Sequence, residues 1–263
     1  MTLAAHEVSV TRGSAALVKS VSLTVRPGEF VVVIGPNGAG KSTLLHALSG
    51  ATRPTRGYCH LDGVALADWS PAALARRRSV LPQAPALGFP LTVSEVVALG
   101  RSPHAGHADQ MSDWRAINTA LATASIAHLA ERSYPELSGG ERQRVHLARV
   151  LAQIEREGRD EALGARYMLL DEPTNNLDLS HQQRLVATAA HLAARGDGVL
   201  AILHDPNLAA QYADRLVVLA DGAVYANGVP ESVLTQQIMG EVFDLKTVCL
   251  THPRSGRPYV LPG

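Results

Sequence analysis

The sequence predicts an α/β fold with a central sheet, an antiparallel β edge and an inserted helical subdomain. Three observations support this class. The apolar run at 30–34 is typical of a strand buried on both faces, and a glycine-rich loop joins it to a helical stretch. Apolar runs at 167–170 and 199–203 enclose a helical stretch at 182–194, as in a βαβ crossover. Between these two units, residues 89–153 have helical character.

Alternation of polar and apolar residues predicts antiparallel strands at both ends of this core. Residues 6–11 and 21–25 alternate on either side of a turn at Gly13. Residues 216–219 and 223–225 flank an Asp-Gly pair, which is a favoured two-residue hairpin turn. We therefore expect one antiparallel pair before the buried strand and one hairpin after the crossover.

Two capping boxes mark helix starts in the insert. Thr92 is followed three residues later by Glu95, and Ser138 by Glu141, each just before a helical pattern. Residues 112–130 are alanine-rich, with apolar residues at helical spacing. These signals predict a helical subdomain made of several separate helices.

Composition bounds the function. A chain of 263 residues that is 46% apolar can form one or two compact domains. Its 24 basic and 24 acidic residues cancel and aromatic residues make up 4%, so no nucleic-acid partner is expected. Cys59 and Cys249 lie far apart, which suggests neither a disulfide scaffold nor a zinc site. No apolar run reaches the ~18 residues of a membrane span and no signal-peptide pattern opens the chain, so membrane contact is expected only through partners.

Residues 35–42, GPNGAGKS, match the phosphate-loop pattern GxxxxGK[ST] in full. Glycines let successive N–H groups point inward, where they and the next helix start bind phosphate oxygens. Lys41 is expected to reach the β- and γ-phosphates of ATP, and the Ser42 hydroxyl to bind Mg²⁺. A plain glycine turn is the alternative, but the strand before and the helix after favour phosphate binding. The predicted nucleotide-binding residues are Gly35, Pro36, Asn37, Gly38, Ala39, Gly40, Lys41, Ser42 and Thr43.

Two carboxylates, Asp171 and Glu172, directly follow the apolar run at 167–170. Ligands of open α/β sheets bind at the carboxyl ends of the strands. Asp171 is therefore expected to hold Mg²⁺, and Glu172 to polarise the water that attacks the γ-phosphate. Acidic residues before a proline are common in loops, so this interpretation depends on the phosphate loop in the same chain.

Four further segments occur in the order seen in one protein family. They are the LSGGERQR segment at 137–144, Gln83 after Val-Leu-Pro, residues 175–178, and His204. With the phosphate loop and the two carboxylates, they make residues 3–235 resemble the ATP-binding subunits of ABC transporters. The resemblance implies a P-loop NTPase core of the RecA-like type, which uses ATP and Mg²⁺.

In this family two chains pack head to tail and trap two ATP molecules between them. The resemblance therefore implies a homodimer whose sites are shared between the chains. The residues implied to act on the partner's site are Ser138, Gly139, Gly140 and Asp178. The implied catalytic residues are Glu172 and His204, and the implied magnesium ligands are Ser42, Gln83 and Asp171.

The same resemblance divides the chain into parts. Residues 1–88 and 160–240 are expected to form the nucleotide-binding core with its antiparallel β portion. Residues 89–159 are expected to form the helical subdomain that carries the LSGGERQR segment, and residues 241–263 a C-terminal tail.

A single cassette without a membrane span is typical of bacterial importers, whose permeases are separate subunits. Residues 89–101 resemble the importers of iron–siderophores, cobalamin and heme. Within that group, the stretches 66–71, 76–83, 177–182 and 251–258 resemble the ATPases of hemin importers. The implied function is ATP hydrolysis that drives hemin uptake. The alternatives are the ATPase of a siderophore or cobalamin importer, or an ABC ATPase outside transport.

The implied partners follow from this function. They are a second copy of the chain, two transmembrane permease subunits and, through the permease, a periplasmic substrate-binding protein. The implied location is the cytoplasmic face of the inner membrane, with peripheral attachment through the permease.

Some features lie outside the family motifs. Arg12 stands where the family often has an aromatic residue that stacks on adenine; a guanidinium can also stack, or it can be a solvated turn residue. Residues 155–161 are expected to form an exposed loop. His104 and His107 are expected to be solvated rather than metal-bound. Residues 76–78 are expected to be a charged loop rather than a contact with phosphate or a partner.

Overall fold

The computed structural model describes residues 1–83, 89–155 and 164–263 of the chain. Its strands are β1 (Leu3–Arg12), β2 (Ala15–Val25), β3 (Phe30–Ile34), β4 (Arg56–Leu61), β5 (Val64–Ala65), β6 (Arg78–Leu81), β7 (Tyr167–Asp171), β8 (Gly198–Ile202), β9 (Arg215–Ala220), β10 (Ala223–Gly228), β11 (Thr247–Thr251) and β12 (Pro258–Pro262). Its α-helices are α1 (Lys41–Leu48), α2 (Pro71–Arg77), α3 (Val93–Ala98), α4 (Gln110–Thr123), α5 (Gly139–Ile154), α6 (Leu179–Ala194), α7 (Pro206–Tyr212), α8 (Pro230–Val233) and α9 (Gln236–Phe243).

A six-stranded central sheet, in the order β10–β9–β3–β8–β7–β6, carries the predicted buried strands in its interior. β3 pairs in parallel with β8 and β9, and β7 pairs in parallel with β8 and β6. All residues of β3, β7 and β8 are buried, since one sheet face packs on helices that include α5, α6 and α7, and the other packs on α1 and a second sheet. The βαβ crossover through α6 and the β9–β10 hairpin are confirmed.

The second sheet is antiparallel, in the order β2–β1–β4–β5. The predicted pair of β1 and β2 is confirmed and is longer than the alternation indicated. Its buried face contributes Val8, Val21 and Leu23 to a core shared with Leu44 and Leu48 of α1. This sheet therefore covers the face of α1 that the central sheet leaves open, and it fixes the helix that follows the phosphate loop.

Both predicted capping boxes are present at the starts of α3 and α5. The alanine-rich stretch is shorter as a helix than its pattern predicts, because α4 ends at Thr123 and Ser125 has a left-handed backbone with φ of 56°. That turn lets the chain reverse, so that α4 can pack against α3 and α5. No helix in the described ranges is long and apolar enough to cross a bilayer.

The segment after residue 240 has regular structure. α9 continues to Phe243, and β11 and β12 pair as an antiparallel hairpin. The side-chain amide of Asn207 exchanges two hydrogen bonds with the backbone of Val260, of 2.9 and 2.7 Å, and this joins the hairpin to α7. The predicted part boundaries at 88 and 159, and residues 156–161 of the predicted exposed loop, lie outside the described residues.

Two expectations about polar side chains are wrong. Residues 76–78 are not a loop, since they end α2 and begin β6, and the Arg77 guanidinium is buried. Arg77 donates to Asp62 Oδ2 at 2.5 Å and to the Ala165 carbonyl at 2.9 Å. His104 is also buried, with Nε2 at 2.8 Å from the Gln153 carbonyl, while His107 is exposed as expected. Both errors have one cause: the partners lie far away in the sequence.

We expect Arg77→Met to lower the free energy of unfolding by about 2 kcal/mol, measured by urea denaturation. Methionine retains much of the apolar stem, but Asp62 and the Ala165 carbonyl lose a charged donor where little water can replace it. Arg53→Met is the matched control, because Arg53 is exposed. Equal losses in the two variants would show that the buried pair adds no stability.

Candidate functional site

The phosphate loop follows β3, and its glycines are required by its geometry. A Cβ atom on Gly35 would lie 2.2 Å from the carbonyl oxygen of Leu219, and one on Gly40 would lie 2.3 Å from that of Leu17. Gly38 and Gly40 have φ of 80° and 93°, in the left-handed region that favours glycine. The close packing of the loop on β2 and β9 therefore requires glycine at positions 35 and 40, and the backbone conformation favours glycine at position 38.

Lys41, at the start of α1, turns its ammonium group back over the loop. Its Nζ donates to the carbonyls of Gly35 at 2.8 Å and Pro36 at 2.9 Å. Burial lowers the pKa of Lys41, and the nearby carboxylates of Glu172 and Asp171 oppose part of that shift. The group is a buried cation beside a hollow of about 200 Å³, which is lined by Leu17, Asn37, Gly38, Ala39, Gly40, Lys41, Ser42, Thr43 and Glu172.

Ser42 and Asp171 meet at the carboxyl ends of β3 and β7. The Ser42 hydroxyl donates to Asp171 Oδ1 at 2.9 Å, and His46 Nε2 lies 3.7 Å from Asp171 Oδ2. Burial raises the pKa of Asp171, while the Ser42 hydrogen bond and His46 act in the opposite direction. A hydroxyl and a carboxylate beside a phosphate loop are the hard oxygen ligands that Mg²⁺ takes, so these residues fit that ion.

Glu172 is held from three directions. Its Oε2 accepts from the Gln83 amide at 2.6 Å and from the Asn175 amide at 2.8 Å. Its Oε1 lies 2.8 Å from His204 Nε2. The structure thus brings Gln83, Glu172 and His204 together as a cluster. It places the Gln83 amide on Glu172 rather than on Ser42, so binding of Mg²⁺ by Gln83 stays a prediction.

The backbone and the charge of Glu172 are both unusual. Its φ of 48° is left-handed, and such strain in a non-glycine residue is concentrated at functional sites. Desolvation raises its pKa, but hydrogen bonds from His204 and Asn175 and the nearby Lys41 charge outweigh that effect, so its pKa lies below the usual value. Glu172 is therefore an ionised carboxylate with fixed orientation, and the ionised form is the one that can accept a proton.

The LSGGERQR segment begins α5 at a different place from the phosphate loop. Ser138 caps the helix, since its hydroxyl accepts from Glu141 N while Glu141 Oε2 accepts from Ser138 N at 2.8 Å. The N–H groups of Gly139 and Gly140, in the first turn, have no partner within the helix. Ser138 and Gly139 are exposed, so this helix start is available to an anion from another molecule.

Asp178 caps α6 and is exposed. Its Oδ1 accepts from the backbone N–H of His181 and from the Ser180 hydroxyl, each at 2.9 Å. These hydrogen bonds, the His181 backbone bond foremost, hold the pKa of Asp178 well below its usual range. Neither Ser138 nor Asp178 is among the described residues that line the hollow at the phosphate loop.

Sequence reasoning missed three residues of the site. Leu17 of β2 lines the hollow, Asn175 orients Glu172, and His46 faces Asp171. Asn175 and His46 could have been found from the sequence, because Asn175 lies three residues after Glu172 and His46 lies four residues after Ser42 in the helix that follows the phosphate loop. Leu17 had none, since only the packing of β2 places it there. Arg12 is exposed at the end of β1, and its role toward the base stays a prediction.

The sequence profile described as "ABC transporter" matches residues 18–175, which is more than half of the chain. The chain belongs to the ABC transporter family. The matched part of this ABC protein contains the phosphate loop, Gln83, the LSGGERQR segment and Glu172. The predicted class, a P-loop NTPase core with a helical insert, is confirmed by the fold and by solved ABC cassettes.

This ABC protein is similar to several proteins named hemin import ATP-binding protein HmuV. It is 52% identical to the one from Gloeobacter violaceus, over 94% of this chain and 88% of the relative. It is 48% identical to the one from Myxococcus xanthus, over 100% of this chain and 97% of the relative. It is 46% identical to the one from Pseudomonas aeruginosa, over 98% and 99% of the two chains.

Solved structures show the same fold. An inward-facing ABC transporter of the metal-chelate type has a TM-score of 0.79 at 25% identity, over 100% of this chain and 97% of that chain. A dimeric bacterial ABC transporter cassette has a TM-score of 0.75 at 27% identity, over 87% and 98% of the two chains. This ABC protein is thus an ATP-binding, ATP-hydrolysing subunit of a transporter.

Proposed function

We propose that this chain is the ATP-hydrolysing subunit of an import complex that takes up hemin. The observation that carries the cargo assignment is its near-full-length similarity to hemin import ATP-binding proteins from different bacteria. The chemistry is supported by the cluster at the carboxyl ends of β3 and β7. Cargo contact is not expected in this subunit, which supplies the energy of ATP hydrolysis.

ATP binds with its phosphates at residues 35–43, where loop N–H groups and the buried Lys41 offset the phosphate charge. Glu172 accepts the proton of the attacking water, whose oxygen bonds to the γ-phosphorus as the bond to the bridging oxygen of ADP breaks. His204 donates to Glu172 when its Nε2 carries a proton, and so orients the base toward the γ-phosphate. ADP and phosphate are the products.

Ser42 and Asp171 are the proposed ligands of Mg²⁺, with Gln83 as a further ligand. Once bound, Mg²⁺ neutralises charge on the phosphate oxygens. In this structure the Gln83 amide contacts Glu172. The amide oxygen of Gln83 would be the atom that binds Mg²⁺, since hard cations take oxygen ligands.

The proposed assembly is a homodimer of this chain, bound to two permease subunits on the cytoplasmic face of the inner membrane. A periplasmic substrate-binding protein delivers cargo to the permease. The exposed helix start at Ser138, Gly139 and Gly140, together with exposed Asp178, supports sharing of each ATP between two chains. The dimeric state of a structurally similar cassette supports the same arrangement.

The cargo is tested in proteoliposomes that contain this chain, its permease and the binding protein. We expect hemin-loaded binding protein to stimulate ATP hydrolysis and hemin to accumulate, and we expect neither effect with a ferric siderophore or cobalamin. Glu172→Gln is the control that abolishes both. Uptake of siderophore or cobalamin in place of hemin would reassign the cargo, and failure to bind any permease would remove the transport role.

A cysteine crosslink tests the shared site. In a Cys59→Ala/Cys249→Ser/Glu172→Gln background, Ser138→Cys and Asn37→Cys on separate chains are expected to crosslink on addition of MgATP and not without it. Each position is exposed, and ATP is the group expected to bring them together. Ser125→Cys replaces Ser138→Cys in the control, because Ser125 is exposed in the same helical region. Nucleotide-independent crosslinking, or crosslinking of the control to the same extent, would contradict sharing of the site.

A further inference from the structure

A chain of polar contacts links α5 to α6 through an imidazole. The Arg144 guanidinium, in the second turn of α5, hydrogen-bonds to His181 Nε2. On the other side of the ring, His181 Nδ1 lies 2.8 and 2.9 Å from the two carboxylate oxygens of Asp178. His181 therefore bridges the helix that begins at Ser138 and the residue that caps α6.

The partners of His181 determine where its proton lies. An arginine side chain has only donors, so Nε2 of His181 must accept, and the ring proton is on Nδ1, which donates to Asp178. Both ring nitrogens are used in this arrangement. A side chain with one donor and one acceptor is thus needed at position 181.

Other contacts join the same regions. The Gln143 amide donates to the Pro173 carbonyl at 3.2 Å, and a Cβ on Gly140 would lie 3.3 Å from the Asn176 carbonyl oxygen. The Gln182 amide donates to the carbonyls of Thr174 and Leu177, at 3.2 and 3.0 Å. The segment that leads from Glu172 to Asp178 is therefore packed on the first turns of both α5 and α6.

We propose that His181 is a positioning residue for ATP hydrolysis, which locks Asp178 and the start of α5 into one rigid unit. That unit presents Ser138 and Asp178 together to the ATP of the opposite chain. The inference rests on the proposed shared site. The segment 172–178 joins this unit to Glu172 in the chain. Loss of the His181 contacts therefore lowers the rate of ATP hydrolysis, while the phosphate loop that binds the nucleotide is not disturbed.

A helix cap alone does not account for these contacts. Asp178 already caps α6 through the backbone N–H of His181 and the Ser180 hydroxyl, and that needs no imidazole at position 181. The imidazole adds a link to Arg144, which belongs to another helix and to the LSGGERQR segment. A cap would affect stability, whereas the link affects kcat.

The test compares His181→Phe, His181→Gln, Arg144→Met and the Arg144→Met/His181→Phe double variant, each in the complex with the permease. Phenylalanine keeps the ring and removes both hydrogen bonds, while the glutamine amide keeps one donor and one acceptor. His191→Phe is the matched control, because His191 is exposed on the same helix. The measurements are kcat and KM for MgATP and the thermal midpoint of unfolding.

We expect His181→Phe to lower kcat by about tenfold or more, since even the weaker end of the range for a single charge-assisted hydrogen bond corresponds to about tenfold, with KM within about twofold of wild type. His181→Gln should recover at least half of the wild-type kcat. The double variant should be no slower than the slower single variant, because both changes break one link. His191→Phe should match wild type.

The role of His181 would be overturned by a wild-type kcat in His181→Phe or by equal kcat values in the Phe and Gln variants. It would also be overturned if the losses of the two single variants multiplied in the double variant. A loss of kcat matched by an equal loss in His191→Phe would overturn it as well. Glu172→Gln is measured alongside. If Glu172→Gln also turns over normally, the proposed catalytic site itself fails; if only His181→Phe is normal, the failure concerns His181 alone.

Discussion

Glu172→Gln is expected to bind ATP and to lose between about 10² and 10⁴ in the rate of hydrolysis. Glutamine has nearly the same size and can still accept hydrogen bonds, but its amide cannot take a proton from the attacking water. The carboxylate of Glu172 is held in one orientation by Gln83, Asn175 and His204. We therefore expect the substitution to slow the chemical step of hydrolysis rather than the binding of ATP. Single-turnover ATPase assays measure the rate, and a fluorescent nucleotide measures binding.

Glu231→Gln is the matched control for this variant, since Glu231 is exposed on α8 and is not among the described residues that line the hollow. It should hydrolyse ATP at the wild-type rate. The Glu172→Gln chain should instead accumulate as an ATP-bound dimer, detected by size-exclusion chromatography. Turnover close to wild type would remove Glu172 as the base and would direct attention to His204 as its replacement.

Lys41→Ala is expected to weaken ATP binding by roughly 10- to 150-fold, which corresponds to the ~1.5–3 kcal/mol of a hydrogen bond to a charged group. The physical reason is that phosphate charge in the hollow then lacks its buried cation. Isothermal titration calorimetry with ATP and Mg²⁺ measures the affinity. Lys19→Ala is the matched control, because Lys19 is exposed on β2.

The folded state must be checked in the same experiment. The Lys41 ammonium also holds the carbonyls of Gly35 and Pro36, so its loss could distort the loop. Circular dichroism and the thermal midpoint of unfolding separate that effect from loss of charge. Lys41→Met, which keeps the length of the side chain, should weaken binding as Lys41→Ala does. ATP affinity equal to that of Lys19→Ala would place the phosphates elsewhere.

The elements that sequence reasoning predicted well depend on local signals. The buried strands β3, β7 and β8 are continuous apolar runs, and both capping boxes are patterns of four residues. The left-handed backbone at Gly38 and Gly40 is equally local, since φ is a property of a single residue. Such signals can be read from the sequence, because each depends on residues that are adjacent in the chain.

The elements that were missed depend on distant partners. β4 and β5 complete a sheet begun by β1, and the β11–β12 hairpin is held by Asn207 of α7. Polar and apolar residues alternate too weakly within β4, β5, β11 and β12 for the sequence to predict these strands. Arg77 and His104 were misjudged for the same reason, because charge predicts exposure unless a partner such as Asp62 or the Gln153 carbonyl is brought to the buried side chain.

The sequence by itself determined the phosphate loop, the order of the family motifs and membership of the ABC transporter family, since these are patterns of residue type and spacing. Only the tertiary structure decided that Gln83 and His204 meet on Glu172, and that Arg144, His181 and Asp178 form one link. Gln83 is 89 residues from Glu172, and Arg144 is 37 residues from His181. Contacts across such distances are set by strand order and helix packing, because local spacing constrains only residues within a turn or two of each other.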